Sequence, residues 1–298
     1  MIDEILALKA RRNAIILAHN YQIPEVQDVA DLVGDSLELS RAAAKLEADV
    51  IVFCGVDFMA ETAAILSPQK VVVLPEKGAW CPMAHMITPE QLRDLKALYP
   101  EAAVVCYVNS TAEVKAESDI CCTSANGVQV VNSLDQNQVI FVPDRNLAAY
   151  VARHTKKKIV PWNGYCYVHD NLTPQEVQNA RFMHPQAEVL VHPECRPDVI
   201  DQADYVYSTA GMGRHARESA AREFIIGTEA GMIYRLKKEN PQKEFFPVSE
   251  KAICQNMKKI SLKKVLMALQ TLEPRISVPE EIAVRARKAI ERMLEVKS

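Results

Sequence analysis

Two segments of this chain match without a gap, and the start of the chain resembles them. TPEQLRDLKALYPEAAVVCYVN (88–109) aligns with TPQEVQNARFMHPQAEVLVHPE (173–194). Each begins with a threonine N-cap and a proline at the first helical position, continues with helical periodicity to a second proline, and ends in a β-branched run. The chain opens with the same order, a helix over 3–12 followed by the strand AIILA. We therefore predict three copies of one helix–strand unit.

Two more apolar strands follow within each unit. The second strands are DVIVFCG, QVIFVPD and EFIIGTE, and the third strands are KVVVLP, KKIVPW and KEFFPV. Helices are predicted to start between them, near residues 57, 145 and 229. Strands that are apolar throughout and alternate with helices are typical of parallel sheets covered on both faces.

This pattern predicts an α/β protein of three homologous three-layer αβα domains with parallel sheets, arranged around a pseudo-three-fold axis. We place the domains at 1–84 together with a C-terminal helix within 272–298, at 85–169 and at 170–271. The last helix, over about 279–296, is expected to pack on the first domain. Stacking as a solenoid is the alternative, but solenoid repeats are usually about 20–50 residues long, so three-fold closure is favoured.

The first strand of each unit ends in two polar residues at positions i and i+2, whose side chains point the same way. The pairs are His19 and Tyr21, Tyr107 and Asn109, and His192 and Glu194. In a parallel α/β sheet, ligands bind beyond the carboxyl ends of the strands. A strand-end histidine is commonly only a hydrogen-bonded residue, but three pairs in register favour one shared binding site.

Hydroxyl residues recur in the same register at turns beside predicted helices, at Ser36, Ser124 and Thr209. One interpretation is helix capping, which contributes about 1 kcal/mol per helix. Another is that these helix N-termini face the shared cavity, where free N–H groups and the helix dipole attract anions. Together with the strand-end pairs, they suit a small molecule that carries several carboxylates or phosphates.

A cysteine follows the third strand of each unit, at Cys81, Cys166 and Cys254. If the three domains pack around an axis, these loops converge, and three thiolates form a soft metal site best suited to iron–sulfur or zinc. The sequence has no CxxC pair, which argues against a zinc ribbon or a ferredoxin motif. Cys54 and Cys106 lie within apolar strands and are interpreted as core residues.

A [4Fe-4S] cluster held by three cysteines has one iron without a protein ligand. Such an iron binds a substrate hydroxyl or carboxylate as a Lewis acid. The residues therefore predict cluster-assisted removal of water from a polyanionic substrate. Electron transfer is less favoured, because it would suit a cluster with four protein ligands.

The composition limits the partners and the compartment. The net charge is −3, and no basic stripe is present for nucleic acid binding, which needs clustered lysine and arginine. The charged N-terminus lacks the apolar region of a signal peptide, and no apolar stretch reaches the ~18–20 residues of a membrane span. Eight cysteines without a targeting signal indicate thiols or metal ligands in a reducing cytosol, so we expect a cytoplasmic protein.

Several long strings carry a family resemblance over essentially the whole chain. Among them are ILAHNYQIPEVQDVADLVGDSLELSR, YVNSTAEVKA, TSANGVQVV, GTEAGMIYRLKK, and the segments CPMA, CYVH and CQNMKKISL around the three cysteines. In these strings the chain resembles the quinolinate synthases, the A proteins of NAD biosynthesis. The resemblance implies condensation of iminoaspartate with dihydroxyacetone phosphate to quinolinate, with release of phosphate and two waters. It also implies an oxygen-sensitive [4Fe-4S] cluster held by Cys81, Cys166 and Cys254.

Carried over by position, the resemblance implies a substrate site lined by His19, Ser36, Tyr107, Asn109, Ser124, His192, Glu194 and Thr209. Tyr21 and Glu194 are the candidates for proton transfer, and His19 and His192 are grouped with them as catalytic; substrate positioning without proton transfer is the alternative. His169, three residues after Cys166, is expected to reach the cavity.

The role of the segment 211–222 and the enzyme that supplies iminoaspartate are two further expectations. The segment 211–222 is interpreted either as a mobile lid whose arginines meet phosphate or as a surface loop. An aspartate oxidase or aspartate dehydrogenase is expected to supply iminoaspartate as a transient partner. Two rival functions stay open: a cluster-dependent hydro-lyase acting on another polycarboxylate, and a non-catalytic three-lobed binding protein whose cysteines hold structural zinc.

Overall fold

The computed structural model describes residues 1–296 and contains three sheets of four strands each, in which all strand pairs are parallel. The first unit runs α1 (Ile2–Arg11), β1 (Ala14–His19), α2 (Pro24–Val29), β2 (Leu32–Gly34), α3 (Ser36–Lys45), β3 (Val50–Cys54), α4 (Asp57–Leu66) and β4 (Val71–Val73). Its strand order across the sheet is β2-β1-β3-β4.

The next two units repeat this order of elements. The second runs α5 (Pro89–Leu98), β5 (Ala103–Tyr107), α6 (Ala112–Ala116), β6 (Ile120–Cys122), α7 (Gly127–Asn132), β7 (Gln138–Val142), α8 (Arg145–Ala152) and β8 (Lys158–Pro161), followed by α9 (Tyr167–Asp170). The third runs α10 (Pro174–Met183), β9 (Glu188–Val191), α11 (Pro197–Ile200), β10 (Tyr205–Val206), α12 (Thr209–Glu218), β11 (Glu223–Gly227), α13 (Met232–Glu239) and β12 (Glu244–Pro247). Their sheet orders are β6-β5-β7-β8 and β10-β9-β11-β12.

The α/β class and the three parallel sheets confirm the predicted fold class. The central strands are buried over most of their length, β3 and β5 throughout, and they carry the apolar runs from which the parallel sheets were predicted. The pseudo-three-fold axis and the domain boundaries at 84/85 and 169/170 stay predictions.

The apolar pattern misses one short edge strand in each sheet, β2, β6 and β10. They have only two or three residues, too few for a periodicity to be recognised. An aspartate precedes each of them: Asp31, Asp119 and Asp204. Each aspartate accepts a hydrogen bond from a backbone N–H of the neighbouring central strand, at 2.7 or 2.8 Å. The triplication therefore includes a repeated side-chain contact that fixes each edge strand.

Two C-terminal helices pack into the cores of the first two units. Their positions differ from those expected from the sequence. Helix α14 (Leu262–Thr271) was assigned to the third domain, but its buried face lies in the core of the first unit. Helix α15 (Glu280–Glu295) was expected on the first unit; its buried residues lie in the core of the second, and it also packs on α4 of the first, where Arg287 Nε donates to the Ile65 carbonyl oxygen at 2.8 Å. No helix within residues 1–296, α15 included, is long and apolar enough to cross a bilayer.

The two threonines that open the repeat are helix caps, as predicted. Thr88 and Thr173 each accept a hydrogen bond from the backbone N–H three residues later, at 3.3 Å. Gln91 and Glu176 return a bond to the cap backbone, which completes two capping boxes. A proline occupies the first helical position in both.

We expect Thr88→Ala to lower the free energy of unfolding by about 1 kcal/mol, because the first turn of α5 loses an acceptor for one of its free N–H groups. Chemical denaturation measures the change. Thr88→Ser keeps the hydroxyl and is the matched control, so equal destabilisation by serine and alanine would contradict this account of the cap.

Candidate active site

One cavity collects side chains from the carboxyl ends of all three sheets. The space between its walls is about 740 Å³ when the open mouth is included. Its walls contain every residue selected from the sequence: His19, Tyr21, Ser36, Cys81, Tyr107, Asn109, Ser124, Cys166, His169, His192, Glu194, Thr209 and Cys254. The structure therefore brings the predicted set together, while the chemical role of each residue stays a prediction.

The strand-end histidines are oriented by the turn that follows them. His19 Nδ1 accepts the backbone N–H of Tyr21 at 3.2 Å, and His192 Nδ1 accepts the backbone N–H of Glu194 at 3.3 Å. Because Nδ1 is an acceptor in both rings, the hydrogen of the neutral imidazole lies on Nε2. For His192 this Nε2 lies 3.2 Å from Ser124 Oγ, on the cavity wall.

Both histidines are neutral at physiological pH. Burial lowers the pKa of His19 and of His192 to about 3, and it outweighs the carboxylate of Glu194, which acts in the opposite direction. The two rings therefore offer N–H donors to an anionic ligand without carrying a positive charge of their own.

Glu194 is the central anion of the cavity. Its side chain is buried, its Oε2 lies 2.8 Å from His169 Nδ1, and its Oε1 accepts a hydrogen bond from the Tyr107 hydroxyl. Burial by itself would raise the pKa of this carboxyl group, but His169, His192 and the hydrogen bonds from His169 and Tyr107 lower it overall. Glu194 is therefore a carboxylate at neutral pH.

Two phenols face this carboxylate. Burial, followed by the charge of Glu194, raises the pKa of Tyr21 and of Tyr107 well above the usual value. Both side chains therefore keep their hydrogen and act as neutral hydroxyl groups. Tyr21 Oη lies 2.7 Å from Thr228 Oγ1, a residue that the sequence did not single out.

The three predicted cysteines come from three different loops and lie half-buried on the cavity wall. Burial raises the pKa of each thiol, Cys254 adds to the rise for Cys81, and Cys81 and Cys254 add to the rise for Cys166. Thiols of this kind ionise when a metal supplies positive charge, so three of them beside an apolar wall fit an iron–sulfur cluster.

A second arrangement of metal ligands shares one of these cysteines. The ligand atoms of Cys166, His169 and Glu194 lie within 4.8 Å of one another, which is close enough for a single ion. Two members of this group, His169 and Glu194, are already paired with each other.

Carboxylates at the strand–helix junctions hold the cysteine loops. The Cys81 backbone N–H donates to Asp57 Oδ1 and the Cys254 backbone N–H donates to Glu229 Oε1, both at 3.0 Å. At the second junction, burial and Glu194 raise the pKa of Asp144, and the nearby amide of Cys166 acts against this rise. The protein thus fixes the backbones of Cys81 and Cys254 by its own hydrogen bonds. Residues 57 and 229 were predicted only as helix starts, so the role of their carboxylates was missed.

Helix capping is the wrong interpretation for Ser36, Ser124 and Thr209. The caps are supplied by neighbours: Asp35 accepts backbone N–H groups of α3, and Ser208 accepts one of α12. Ser124 precedes α7, whose N-cap position is occupied by Asn126. All three hydroxyl groups instead line the cavity, where Thr209 Oγ1 is held by Asn20 Nδ2 at 2.7 Å.

The segment 211–222 is not a surface loop over most of its length, because Thr209–Glu218 forms helix α12 with one buried face. Its role as a mobile lid stays a prediction. Arg214 and Arg217 are exposed, and Arg217 pairs with Glu239 at 3.0 Å. Within residues 1–296 no arginine lines the cavity in this structure, and contact of this segment's arginines with phosphate stays a prediction.

Some residues of the site had no signal in the sequence. Thr228 follows β11, and the corresponding strand ends carry Gly55 and Pro143, so a search for triplicated polar residues passes over it. The apolar wall is formed by side chains such as Met59, Met83 and Met257, which have the composition of ordinary core residues.

Parallel sheets with ionisable side chains and thiols gathered at their strand ends define the class of this protein, an α/β enzyme with one central site. The chain belongs to the quinolinate synthetase A protein family, whose model matches residues 3–295. The resemblance found in the sequence motifs is thereby confirmed, and with it the expectation of an enzyme.

Curated relatives are similar over almost their whole length. The chain is 64% identical to a quinolinate synthase of Methanoregula boonei over 292 residues. This aligned segment covers 98% of this chain and 97% of the relative. It is 58% identical over 293 residues to a quinolinate synthase of Dehalococcoides mccartyi, with the same two coverages. A protein named quinolinate synthase 1 of Methanosarcina acetivorans is 56% identical over 297 residues, which are 100% of this chain and 98% of the relative.

Buried neutral histidines predict a loss of stability in mild acid. The folded pKa of His192 is about 3, below the unfolded value of about 6.5, so the unfolded state binds a proton first as the pH falls. The contribution of the neutral His192 ring to the free energy of unfolding is complete above about pH 6.5 and is lost as the pH falls towards 3. Between pH 7 and pH 5 the free energy of unfolding should therefore fall by about 2 kcal/mol less in His192→Gln than in the wild-type protein.

Urea denaturation at several pH values measures this difference. The groups facing the ring are His169, His19 and Glu194, which are unchanged in the variant. Equal pH dependence of the wild-type protein and His192→Gln would show that His192 is not held neutral by the fold.

Proposed function

We propose that this protein acts as a quinolinate synthase, condensing iminoaspartate with dihydroxyacetone phosphate to quinolinate and releasing phosphate and two waters. The observation that carries the proposal is one cavity that holds a buried anionic Glu194, neutral N–H and O–H donors, and three thiols. The reaction joins two anionic substrates and eliminates water, so it needs anion binding, proton transfer and an acceptor for a departing hydroxyl group. The step would belong to NAD biosynthesis in the cytoplasm.

Anion binding is assigned to the uncharged donors of the cavity. The neutral rings of His19 and His192 and the hydroxyl groups of Ser36 and Ser124 bind carboxylate or phosphate oxygens. The N-terminus of α3, at Ser36, is not counted among these donors, because the Asp35 carboxylate already accepts the backbone N–H groups of Leu37 and Glu38. Neutral donors bind an anion without forming ion pairs with Glu194.

Asn109 supplies a different kind of contact. Its side-chain oxygen is buried and has no hydrogen-bond partner among residues 1–296, although it lies in the cavity wall. A buried acceptor without a partner costs about 1–3 kcal/mol. A substrate hydroxyl or N–H group would satisfy it, which supports a ligand with polar hydrogens at this position.

Proton transfer is assigned to Glu194 and Tyr21. Glu194 is anionic and is the base of the site, while Tyr21 and Tyr107 are neutral phenols that donate or relay a hydrogen. Condensation of an amine with a carbonyl group and loss of a hydroxyl group both require protons to be removed from carbon or nitrogen and delivered to oxygen.

The cofactor proposed here is one [4Fe-4S] cluster held by Cys81, Cys166 and Cys254, with one iron free of protein ligands. When bound, it would supply a Lewis acid for a substrate oxygen during dehydration. The protein contributes the convergence of the thiols, the carboxylates that hold the cysteine loops, and the apolar wall.

Iminoaspartate carries a reactive imine, so a second enzyme must form it shortly before this protein uses it. An L-aspartate oxidase or aspartate dehydrogenase is the class of enzyme that forms it, and contact with this protein would be transient. The remaining substrate, dihydroxyacetone phosphate, would bind as a free small molecule.

Anaerobic purification with metal analysis tests the cofactor. We expect iron and sulfide in the wild-type protein, and Cys81→Ala to lose iron, the visible absorbance and quinolinate formation together. Cys54→Ala is the matched control, because Cys54 is a buried core thiol outside the cavity wall. Zinc without sulfide would favour the binding protein, and quinolinate formation by an iron-free variant would remove the Lewis-acid role.

Glu194→Gln tests the base. The substitution keeps the size of the side chain and removes its charge, so we expect kcat to fall by about 10²–10⁴-fold with iron retained. Quinolinate is measured by chromatography after addition of both substrates. Glu218→Gln, at an exposed position of α12, is the control. Near wild-type kcat in Glu194→Gln would assign the proton transfer to another residue.

A further inference from the structure

Asn20 stands between His19 and Tyr21 in the chain, but unlike them it does not line the cavity. Its side chain is fully buried, and its amide hydrogen-bonds to two side chains of the third unit. The equivalent positions of the other two units are Val108 and Pro193, so this amide has no counterpart in the triplication. Asn20 therefore makes a contact between the first and third units that the repeat does not explain.

A guanidinium group determines the orientation of the Asn20 amide. Arg235 Nη1 is 2.5 Å from one end of the amide, and Thr209 Oγ1 is 2.7 Å from the other end. A guanidinium group carries only donors, so the end that faces Arg235 is the oxygen and the end that faces Thr209 is the NH2 group. The Asn20 amide therefore donates a hydrogen bond to the Thr209 hydroxyl group.

This contact leaves the hydrogen of the Thr209 hydroxyl group free. The Thr209 oxygen accepts from Asn20, and within residues 1–296 no protein atom accepts the Thr209 hydrogen. Because Thr209 lines the cavity, its hydrogen is available to an acceptor on a ligand. Thr209 is thereby set as a donor, which is what a carboxylate or phosphate oxygen requires.

Arg235 supplies positive charge to this group from outside the cavity wall. Its side chain is 17% exposed and lies 2.6 Å from Glu239 and 3.7 Å from Glu38, so acidic groups of both units hold it in place. Hydrogen bonds in a chain polarise one another, so the guanidinium group strengthens the Asn20 amide as a donor and, through it, the Thr209 hydroxyl group. An anion in the cavity is thus stabilised by an arginine that it does not touch.

We propose that Asn20 is a positioning residue, which fixes the Thr209 hydroxyl group as a hydrogen-bond donor to an anionic group of the substrate. Arg235 fixes the Asn20 amide in turn. A hydroxyl group can donate or accept, and the amide decides between these two roles. The inference rests on the proposed function for its kinetic consequence, but the contact itself does not depend on the reaction.

Asn20→Asp tests the proposal, because it keeps the shape of the side chain and its contact with Arg235 but replaces the NH2 group by an oxygen. Thr209 then donates its hydrogen to the carboxylate and no longer to a ligand. We expect KM for at least one of the two substrates to rise by about 10–100-fold, the range for a hydrogen bond to a charged group, with kcat within about threefold of the wild-type value. Asn179→Asp adds the same charge at an exposed position of α10 and is the matched control, with wild-type kinetics expected. Iron content is measured in each variant, so that loss of the cofactor is recognised.

A double-mutant cycle separates the orientation of the hydroxyl group from simple charge repulsion. In the Thr209→Val background there is no hydroxyl group to orient, so Asn20→Asp is expected to raise KM by less than about threefold further. In the Thr209→Ser background the hydroxyl group is kept, and the full rise is expected. A full rise in the valine background, or an unchanged KM for both substrates in Asn20→Asp, would overturn the proposal.

The contact is also measured without the reaction, by chemical denaturation of the purified protein. Asn20→Ala and Thr209→Val each remove the same hydrogen bond, so together they are expected to lower the denaturation midpoint by less than the sum of the single changes. If the wild-type protein forms no quinolinate, the proposed function fails, and this cycle still decides the contact. Additive changes in the midpoint would overturn the inference for Asn20.

Discussion

A single buried negative charge organises the centre of this protein. A carboxylate removed from water costs several kcal/mol unless hydrogen bonds and nearby charge replace its hydration. Glu194 is in contact with His169 and accepts a hydrogen bond from Tyr107. The Thr228 hydroxyl group in turn links His169 to Tyr21. Because His169 and Tyr107 belong to the second unit and Glu194 to the third, the carboxylate is satisfied only when these two units are packed together. The stability of the centre and the reactivity of the site are therefore consequences of the same contacts.

The cysteine loops follow a similar rule. Asp57 and Glu229 hold the backbone of Cys81 and Cys254 from strand–helix junctions, so the thiols are placed by rigid elements and not by the loops alone. Side chains positioned from strands and helices are more accurately fixed than those on free loops. Junctions of this kind allow one scaffold to carry both an anion site and a metal site.

Much of this arrangement could be predicted, because triplication places equivalent residues at equivalent strand ends. His19, Tyr107 and His192 are far apart in the sequence, yet each ends the first strand of its sheet or directly follows it. The useful signal was the recurrence of polar residues at equivalent positions of the three units, since a polar residue at one strand end alone would not have indicated a binding site. Thr228 was not predicted because it lacks polar counterparts at Gly55 and Pro143. Ser36, Ser124 and Thr209 lie one or two residues from the true N-cap positions, because several adjacent polar residues compete at each of these turns.

The sequence by itself determined the longer strands and their alternation with helices, the parallel sheets and the candidate residues at the strand ends, because these depend on local periodicity and on internal repetition. Only the tertiary structure decided that α14 packs in the first core and α15 in the second. It also decided that Thr228 joins Tyr21 and His169, residues 207 and 59 positions away in the chain. Such contacts depend on how the units pack, and an amphipathic helix or a lone hydroxyl group does not specify its partner through local sequence.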